Sequence, residues 1–276
     1  MNLHLATSRM LALVLSGTLL LAGCSEGESP SDSTNSSAPS AKAQRIAAMK
    51  QVTDQHSFAR PEEARITHLN WKAKVDFDAR TISGTATYDI EVAADAERIV
   101  FDTHELAIAA VTVDGAPVEF ALGAAQPFLG QPLSVPIAPG SKQVAIQYTS
   151  DPGADALLWV EAQGEKSPFL FTQSQAILAR TWIPLQDSPG IRFTYDAKVQ
   201  APEGLMAVMS ASNPQLLSED SRYSFEMKQP IPSYLMALAV GDLRFQSTGP
   251  RTGVYAEPAI LEASAWEFGE TEALIQ

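Results

Sequence analysis

Two runs of alternating residues joined by a three-residue turn constrain this chain more than any other feature. Leu69, Trp71, Ala73, Val75 and Phe77 alternate with polar residues. Asp78-Ala79-Arg80 follows, and then Ile82, Gly84, Ala86, Tyr88, Ile90 and Val92 alternate again. Successive side chains of a strand point to opposite faces, so a period of two means one buried face and one wet face. The two runs predict a half-buried antiparallel hairpin. Further short strands are predicted near residues 98–102, 110–113, 133–137, 143–148, 192–199, 205–210, 222–227 and 233–240. Asp114-Gly115, Pro139-Gly140, Asp151-Pro152-Gly153 and Pro202-Glu203-Gly204 punctuate them as turns. Many short strands at this spacing indicate an all-β fold, an antiparallel sandwich or saddle.

The N-terminus reads as an export signal. Arg9 supplies a positive charge, residues 10–21 are an apolar run too short to span a bilayer comfortably, and Leu21-Ala22-Gly23-Cys24 follows. Cys24 is the only cysteine of the chain. The order of charge, apolar core and small-residue site resembles a bacterial lipoprotein signal, in which Cys24 is acylated and becomes the new N-terminus. The alternative is an ordinary secretory signal with an incidental cysteine. Residues 24–53 hold a stretch rich in Ser, Pro, Glu and Asp with nothing to build a core, and read as a disordered tether. By resemblance to lipoprotein sorting in Gram-negative cells, Ser25 in place of aspartate implies a lipid-anchored protein of the bacterial cell envelope, at the outer membrane facing the periplasm.

The chain carries 32 acidic against 19 basic residues, a formal net charge of −13. That balance argues against nucleic acid as a partner and against electrostatic adhesion to a membrane. Residue types alone expose no chemistry. His56, His68 and His104 are far apart and no HExxH pair occurs. No serine sits in a GxSxG elbow, and Asp187-Ser188-Pro189-Gly190 reads first as a turn.

Towards the end the pattern changes. Residues 253–256 read as a strand, and a helix is expected from Pro258, with Leu261, Ala265, Phe268 and Ile275 near one face. It is either a terminal helix docked on the sandwich or the opening of a second domain.

Several blocks match a known family in order. The longest is Pro168-Phe-Leu-Phe-Thr-Gln-Ser-Gln-Ala-Ile-Leu-Ala-Arg-Thr-Trp-Ile-Pro-Leu-Gln-Asp-Ser-Pro-Gly-Ile-Arg-Phe-Thr-Tyr195. Others are Leu205-Met-Ala-Val-Met-Ser-Ala211, Pro230-Ile-Pro-Ser-Tyr-Leu-Met-Ala-Leu-Ala-Val-Gly-Asp242, Gly249-Pro-Arg-Thr-Gly-Val-Tyr-Ala-Glu257 and, upstream, Asp54-Gln-His-Ser-Phe-Ala-Arg-Pro61. Together they resemble the aminopeptidase N and leukotriene hydrolase family of zinc metallopeptidases, nearest its leukotriene-hydrolase branch. The resemblance covers residues 54–276. Leu185 stands where many relatives carry cysteine, and Ser188 where the broader family often has glutamate.

The resemblance implies a β domain over residues 54–250 and, over 251–276, the first strand and helix of a truncated thermolysin-like catalytic domain. It implies that Gln175 helps bind the free amino group of a peptide substrate and that Gln173 lines the same pocket. An amide carbonyl suits an ammonium, accepting its hydrogen bonds without relying on charge alone. The alternative is a pair of polar residues on a strand edge. The family's zinc is held by an HExxH helix and a downstream glutamate, and a GxMEN loop supplies the countercharge to the amine. This sequence contains neither motif, so it offers no catalytic residue and no metal ligand of its own, and zinc is expected only in a full-length enzyme.

Two function classes follow. One is the substrate-amine-recognition and scaffold domain of an exported zinc aminopeptidase, inactive in this form. The other is a non-enzymatic, membrane-anchored lipoprotein that binds peptides or a protein partner. Both expect a lipid on Cys24. Expressed in a Gram-negative host, the chain should partition into membranes and gain the mass of the acyl groups, and Cys24→Ala should abolish both. A Cys24→Ala chain that still partitions, with no mass difference between the two forms, defeats the expectation.

Overall fold

The computed structural model describes residues 54–276. Residues 1–53, with the signal, Cys24 and the tether, lie outside the described residues. The predicted hairpin is the spine of the fold. Strand β1 (Ala64–Asp76) pairs antiparallel with β2 (Thr81–Val92). The turn closes where the Ala79 N–H donates to Asp76 Oδ1 (2.9 Å), and Arg80 adopts φ 53°.

In register, Leu69, Trp71, Ala73 and Val75 face inward and Lys72 and Lys74 outward. The register shifts between Ile66 and His68. This bulge lets Ala64 and Ile66 face inward on even numbers while Leu69 onward face inward on odd ones. It is the reason the alternation becomes readable only at Leu69. A Cβ on Gly84 would stand 2.0 Å from the Lys72 carbonyl oxygen, so a side chain there would force the two strands apart.

Most remaining strands fall where predicted. They are β3 (Arg98–Thr103), β4 (Ala107–Val113), β5 (Ala116–Pro117), β6 (Ala121–Leu122), β7 (Gln131–Pro136), β8 (Gln143–Thr149), β9 (Leu157–Val160), β10 (Phe169–Thr172), β11 (Arg192–Gln200), β12 (Met206–Met209), β13 (Arg222–Pro232), β14 (Leu238–Gly241), β15 (Arg244–Ser247) and β16 (Gly253–Ala256). They form a seven-stranded sheet ordered β13-β11-β1-β2-β8-β4-β5, a four-stranded sheet β12-β14-β10-β9, a three-stranded sheet β3-β7-β6 and the hairpin β15-β16. The fold is all-β as expected, with one departure: β1 and β11 run parallel, His68 beside Thr194. Residues 233–240 do not form one strand; Ser233–Leu235 make a 3-10 turn before β14 begins.

Buried aromatics fill the space between the layers. Trp71 and Trp182 meet edge to face, with centroids 5.4 Å apart. The Trp71 indole donates to the Tyr148 hydroxyl (2.9 Å), and the Tyr88 hydroxyl donates to the Pro184 carbonyl. Burying each such ring contributes about 1.5–3 kcal/mol, and the hydrogen bonds remove the penalty their polar ends would otherwise carry.

The C-terminal helix is shorter than expected. Pro258 precedes it in a turn. Helix α1 spans Leu261–Glu267, and a second short helix, α2, spans Thr271–Leu274 after a break at Gly269. A glycine inside a helix costs about 1 kcal/mol relative to alanine, and no side chain caps either piece. Of the expected apolar stripe only Ala265 is buried; Leu261 is half-buried and Phe268 and Ile275 are exposed, as are Trp266 and Leu274 outside the stripe. The hairpin β15-β16 pairs residues on both sides of position 250.

Three phenols report on this core. Burial raises Tyr88 and Tyr148 well above an ordinary phenol, and it pushes Tyr195 up to about 12 against the pull of its Ser210 hydrogen bond. A folded value above the unfolded one means that the stability is complete below pH ~10 and is lost as pH rises through ~12. Phenolate absorbance should therefore show these tyrosines ionising only as the protein unfolds, with chemical stability falling across that window. Free titration of all six tyrosines near pH ~10 in a still-folded protein contradicts the packing described.

Candidate functional site: a cleft beside an anchored glutamine loop

A charged residue inside an apolar stretch is the local oddity from which the site is built. In Ile177-Leu-Ala-Arg-Thr-Trp-Ile183, Arg180 is fully buried on a 3-10 turn, Ala179–Thr181. Its Nε donates to Asp187 Oδ2 (3.1 Å), its Nη1 to the Leu129 carbonyl (2.9 Å), and its Nη2 to the carbonyls of His56 (2.7 Å) and Asp187 (3.1 Å). Asp102 Oδ1 lies 3.7 Å from Nη1. Asp102 also accepts from the Ser57 hydroxyl (2.6 Å) and from the backbone N–H of Phe58 (2.7 Å) and Asp187 (2.8 Å). The Ser233 hydroxyl donates to Asp187.

Burial pushes both aspartates above the ordinary carboxylate range, opposed by the Arg180 charge and these donors. Each partner of the two carboxylates is a donor, so the geometry accommodates the ionised forms. Asp187 thus lies inside the protein as a counter-ion, where the sequence suggests a turn. The signal available in sequence was the isolated Arg180, since a buried charge requires partners. Leu185, in place of the family's cysteine, is fully buried and bridges to Asp102; Ser188, in place of glutamate, donates to Asp54 Oδ2 (2.6 Å). Burial alone would raise Asp54, but the Ser188 hydroxyl, the His56 N–H and the nearby positive groups outweigh it and hold the carboxyl below its usual range.

The loop carrying the predicted glutamines leaves this anchored segment. Ser174 is buried and donates to the Met236 carbonyl (2.8 Å) while accepting from the Trp182 indole (3.2 Å). The Leu178 N–H closes onto the Ser174 carbonyl (2.9 Å), and the Gln173 N–H onto that of Ala156 (2.9 Å). Gln173 and Gln175 flank this fixed serine and are both exposed. They differ in availability. Gln173 Oε1 accepts the Gln175 N–H (3.1 Å), so it already has a partner. The Gln175 amide head forms no hydrogen bond among the described residues. Gln175 borders a cleft of about 780 Å³ with Asp54, His56, Ile177, Pro189 and Tyr234; Gln173 does not line it.

Residues 65–235 match the peptidase M1 N-terminal domain. The chain belongs to this family. It is 38% identical over 239 residues to leukotriene A-4 hydrolase of Xenopus laevis, covering 82% of this chain and 39% of that protein. It is 34% identical over 230 residues to leucine aminopeptidase 2 of Yarrowia lipolytica, covering 80% and 35%. Among solved structures, native yeast leukotriene A4 hydrolase superposes with a TM-score of 0.78 at 29% identity, covering 86% of this chain and 38% of that one. A Deinococcus radiodurans M1 zinc metallopeptidase shares the fold at a TM-score of 0.54 and 20% identity. The M1 domain described here thus spans well under half the length of these relatives. Among the described residues no group of three or more His, Cys, Asp or Glu is placed to hold a metal ion, so they do not fit a zinc site. No helix among them is long and apolar enough to cross a membrane.

Removing one partner of a buried ion pair strands the others and costs about 3–5 kcal/mol. Asp187→Ala should lower unfolding free energy by that amount in denaturant titrations, and Asp102→Asn should fall in the same range. Losses below about 1 kcal/mol, the level of an exposed pair, mean the network is not the anchor described.

Proposed function

We propose that this chain is the N-terminal substrate-amine-recognition and scaffold domain of an exported zinc metalloaminopeptidase that removes N-terminal residues from peptides. One observation carries the reading: the Gln175 amide is exposed and unengaged, on a loop whose neighbours Ser174 and Leu178 are pinned. An acceptor held rigidly at the edge of a cleft is suited to orient an ammonium group. Gln173, tied to the Gln175 backbone, stiffens the loop. Identity to an aminopeptidase and to a leukotriene A-4 hydrolase supports the reaction class. Exposure of Trp266 and Leu274 at 82% each supports a neighbouring domain packed against the C-terminal helices. The zinc and the general base belong to that neighbour. The apolar run ending at Leu21-Ala22-Gly23-Cys24 supports a cell-envelope enzyme anchored by a lipid on Cys24.

The chain alone should bind no stoichiometric zinc and hydrolyse no aminoacyl anilide. Joined to the catalytic domain of the same enzyme it should be active, and Gln175→Ala should then act mainly on substrate binding, costing about 1–3 kcal/mol as a buried polar partner is lost. Zinc at one equivalent with chelator-sensitive hydrolysis by the chain alone overturns the reading. Unchanged kinetics in Gln175→Ala removes the contact. A closed monomer indifferent to a catalytic domain favours the non-enzymatic lipoprotein.

A further inference from the structure

One edge of the cleft carries a charge that Gln175 does not account for. Asp54 borders the same cleft as Gln175, and no other carboxylate does. Its side chain is 28% exposed, so it is neither sealed in the core nor free in solvent. Both oxygens are engaged within the protein: Oδ1 accepts the His56 N–H (2.9 Å) and Oδ2 the Ser188 hydroxyl (2.6 Å). A carboxylate offers about four acceptor sites, so each oxygen keeps one to spare. The segment that bears it is pinned as well. Arg180 Nη2 donates to the His56 carbonyl (2.7 Å), and the Ser57 hydroxyl and Phe58 N–H are tied to Asp102.

No fixed cation answers this carboxylate. Arg180 is wholly buried, and its N–H groups go to Asp187 and to the carbonyls of Leu129 and His56. Two aspartates, Asp102 and Asp187, already share its charge. Among the described residues the only basic group within ion-pair distance of Asp54 is His56. Its Nδ1 stands 3.5 Å from Oδ1, and the ring is 74% exposed and charged only when protonated. One carboxylate, one unspent amide and apolar walls from Ile177 and Pro189 complement a ligand that carries an ammonium on an apolar body.

We propose that Asp54 is a counter-charge for the substrate's free amino group, so that this domain alone holds a site for an ammonium. An ammonium has three N–H donors. Asp54 and the Gln175 carbonyl accept two, and the third remains for the neighbouring domain. The carboxylate supplies attraction, and the amide supplies direction. The inference rests on the aminopeptidase reading for the identity of its ligand, but the site itself needs no second domain.

The test uses the chain from residue 24 onward carrying Cys24→Ser, without a catalytic domain, at pH ~7, between the ordinary imidazole and α-amino values. Leucinamide presents an α-ammonium on an apolar body; N-acetyl-leucinamide keeps the body and lacks the charge. Chemical-shift titration should show leucinamide binding with a Kd of about 1 mM, the affinity of two hydrogen bonds to a charged group, and the acetylated form about tenfold more weakly. Asp54→Asn keeps an acceptor for the His56 N–H and should weaken leucinamide about tenfold. Asp95→Asn, at an exposed acid between β2 and β3, should bind as its parent does. No leucinamide binding, no preference over the acetylated form, or an Asp54→Asn chain that folds normally and binds as tightly as its parent overturns the proposal. N-acetyl-lysinamide, whose ammonium sits on the side chain, should bind more weakly than leucinamide; equal binding that depends on Asp54 gives the site to a basic side chain and overturns the assignment to the amine. The two readings fail separately. A joined enzyme that is active, needs Gln175 and ignores Asp54→Asn keeps the aminopeptidase and loses this counter-charge. Asp54-dependent leucinamide binding by a chain that forms no active enzyme with the catalytic domain keeps the ammonium site and loses the peptidase around it.

Discussion

The segment from which the glutamine loop departs is organised around one buried guanidinium. Arg180 reaches the His56 and Leu129 carbonyls and two aspartates from different parts of the chain. Such a cluster is a poor source of net stability, because desolvating three charges offsets most of their attraction. Its value lies in discrimination. Any arrangement that separates one member from the rest leaves a charge in an apolar interior, so competing packings of these loops are strongly disfavoured. Gln186 extends the same logic without charge, accepting the Ile66 N–H (2.9 Å) and donating to the carbonyls of Ala64 (2.9 Å) and Val100 (3.2 Å).

That rigidity decides what the neighbouring loop can do. Ser174 is fixed by a hydroxyl that both donates and accepts, so the residues on either side cannot retract. Gln175 is left with an unspent amide beside Tyr234 and Asp54. A binding group that needs no rearrangement loses little entropy when a ligand arrives.

The hairpin and most strands were legible because their patterns are local. Alternation survives in the sequence wherever one face meets the core, and the turn residues mark its ends. The strands that escaped notice, β5, β6, β9, β10 and β15, are two to four residues long, too short for a period to register. The parallel pairing of β1 with β11 was invisible, since nothing near either strand encodes a partner more than a hundred residues away. The expected helix is cut short by a residue in plain view: Gly269 interrupts a segment with no cap at either piece. The glutamine loop was found only through resemblance, because two glutamines around a serine carry no pattern of their own. The Arg180 cluster had a visible clue but no visible partners.

The parallel partnership of β1 and β11 also sets a timetable. The centre of the largest sheet joins His68 to Thr194, 126 positions later. Until β11 has been synthesised, β1 has only β2 beside it, and its other edge stays open. Contacts this distant in sequence form slowly, because a long loop must close before they add stability. A chain exported as an extended thread, as proposed above, would gain from such a delay. The central seam cannot shut until β11 is available to β1.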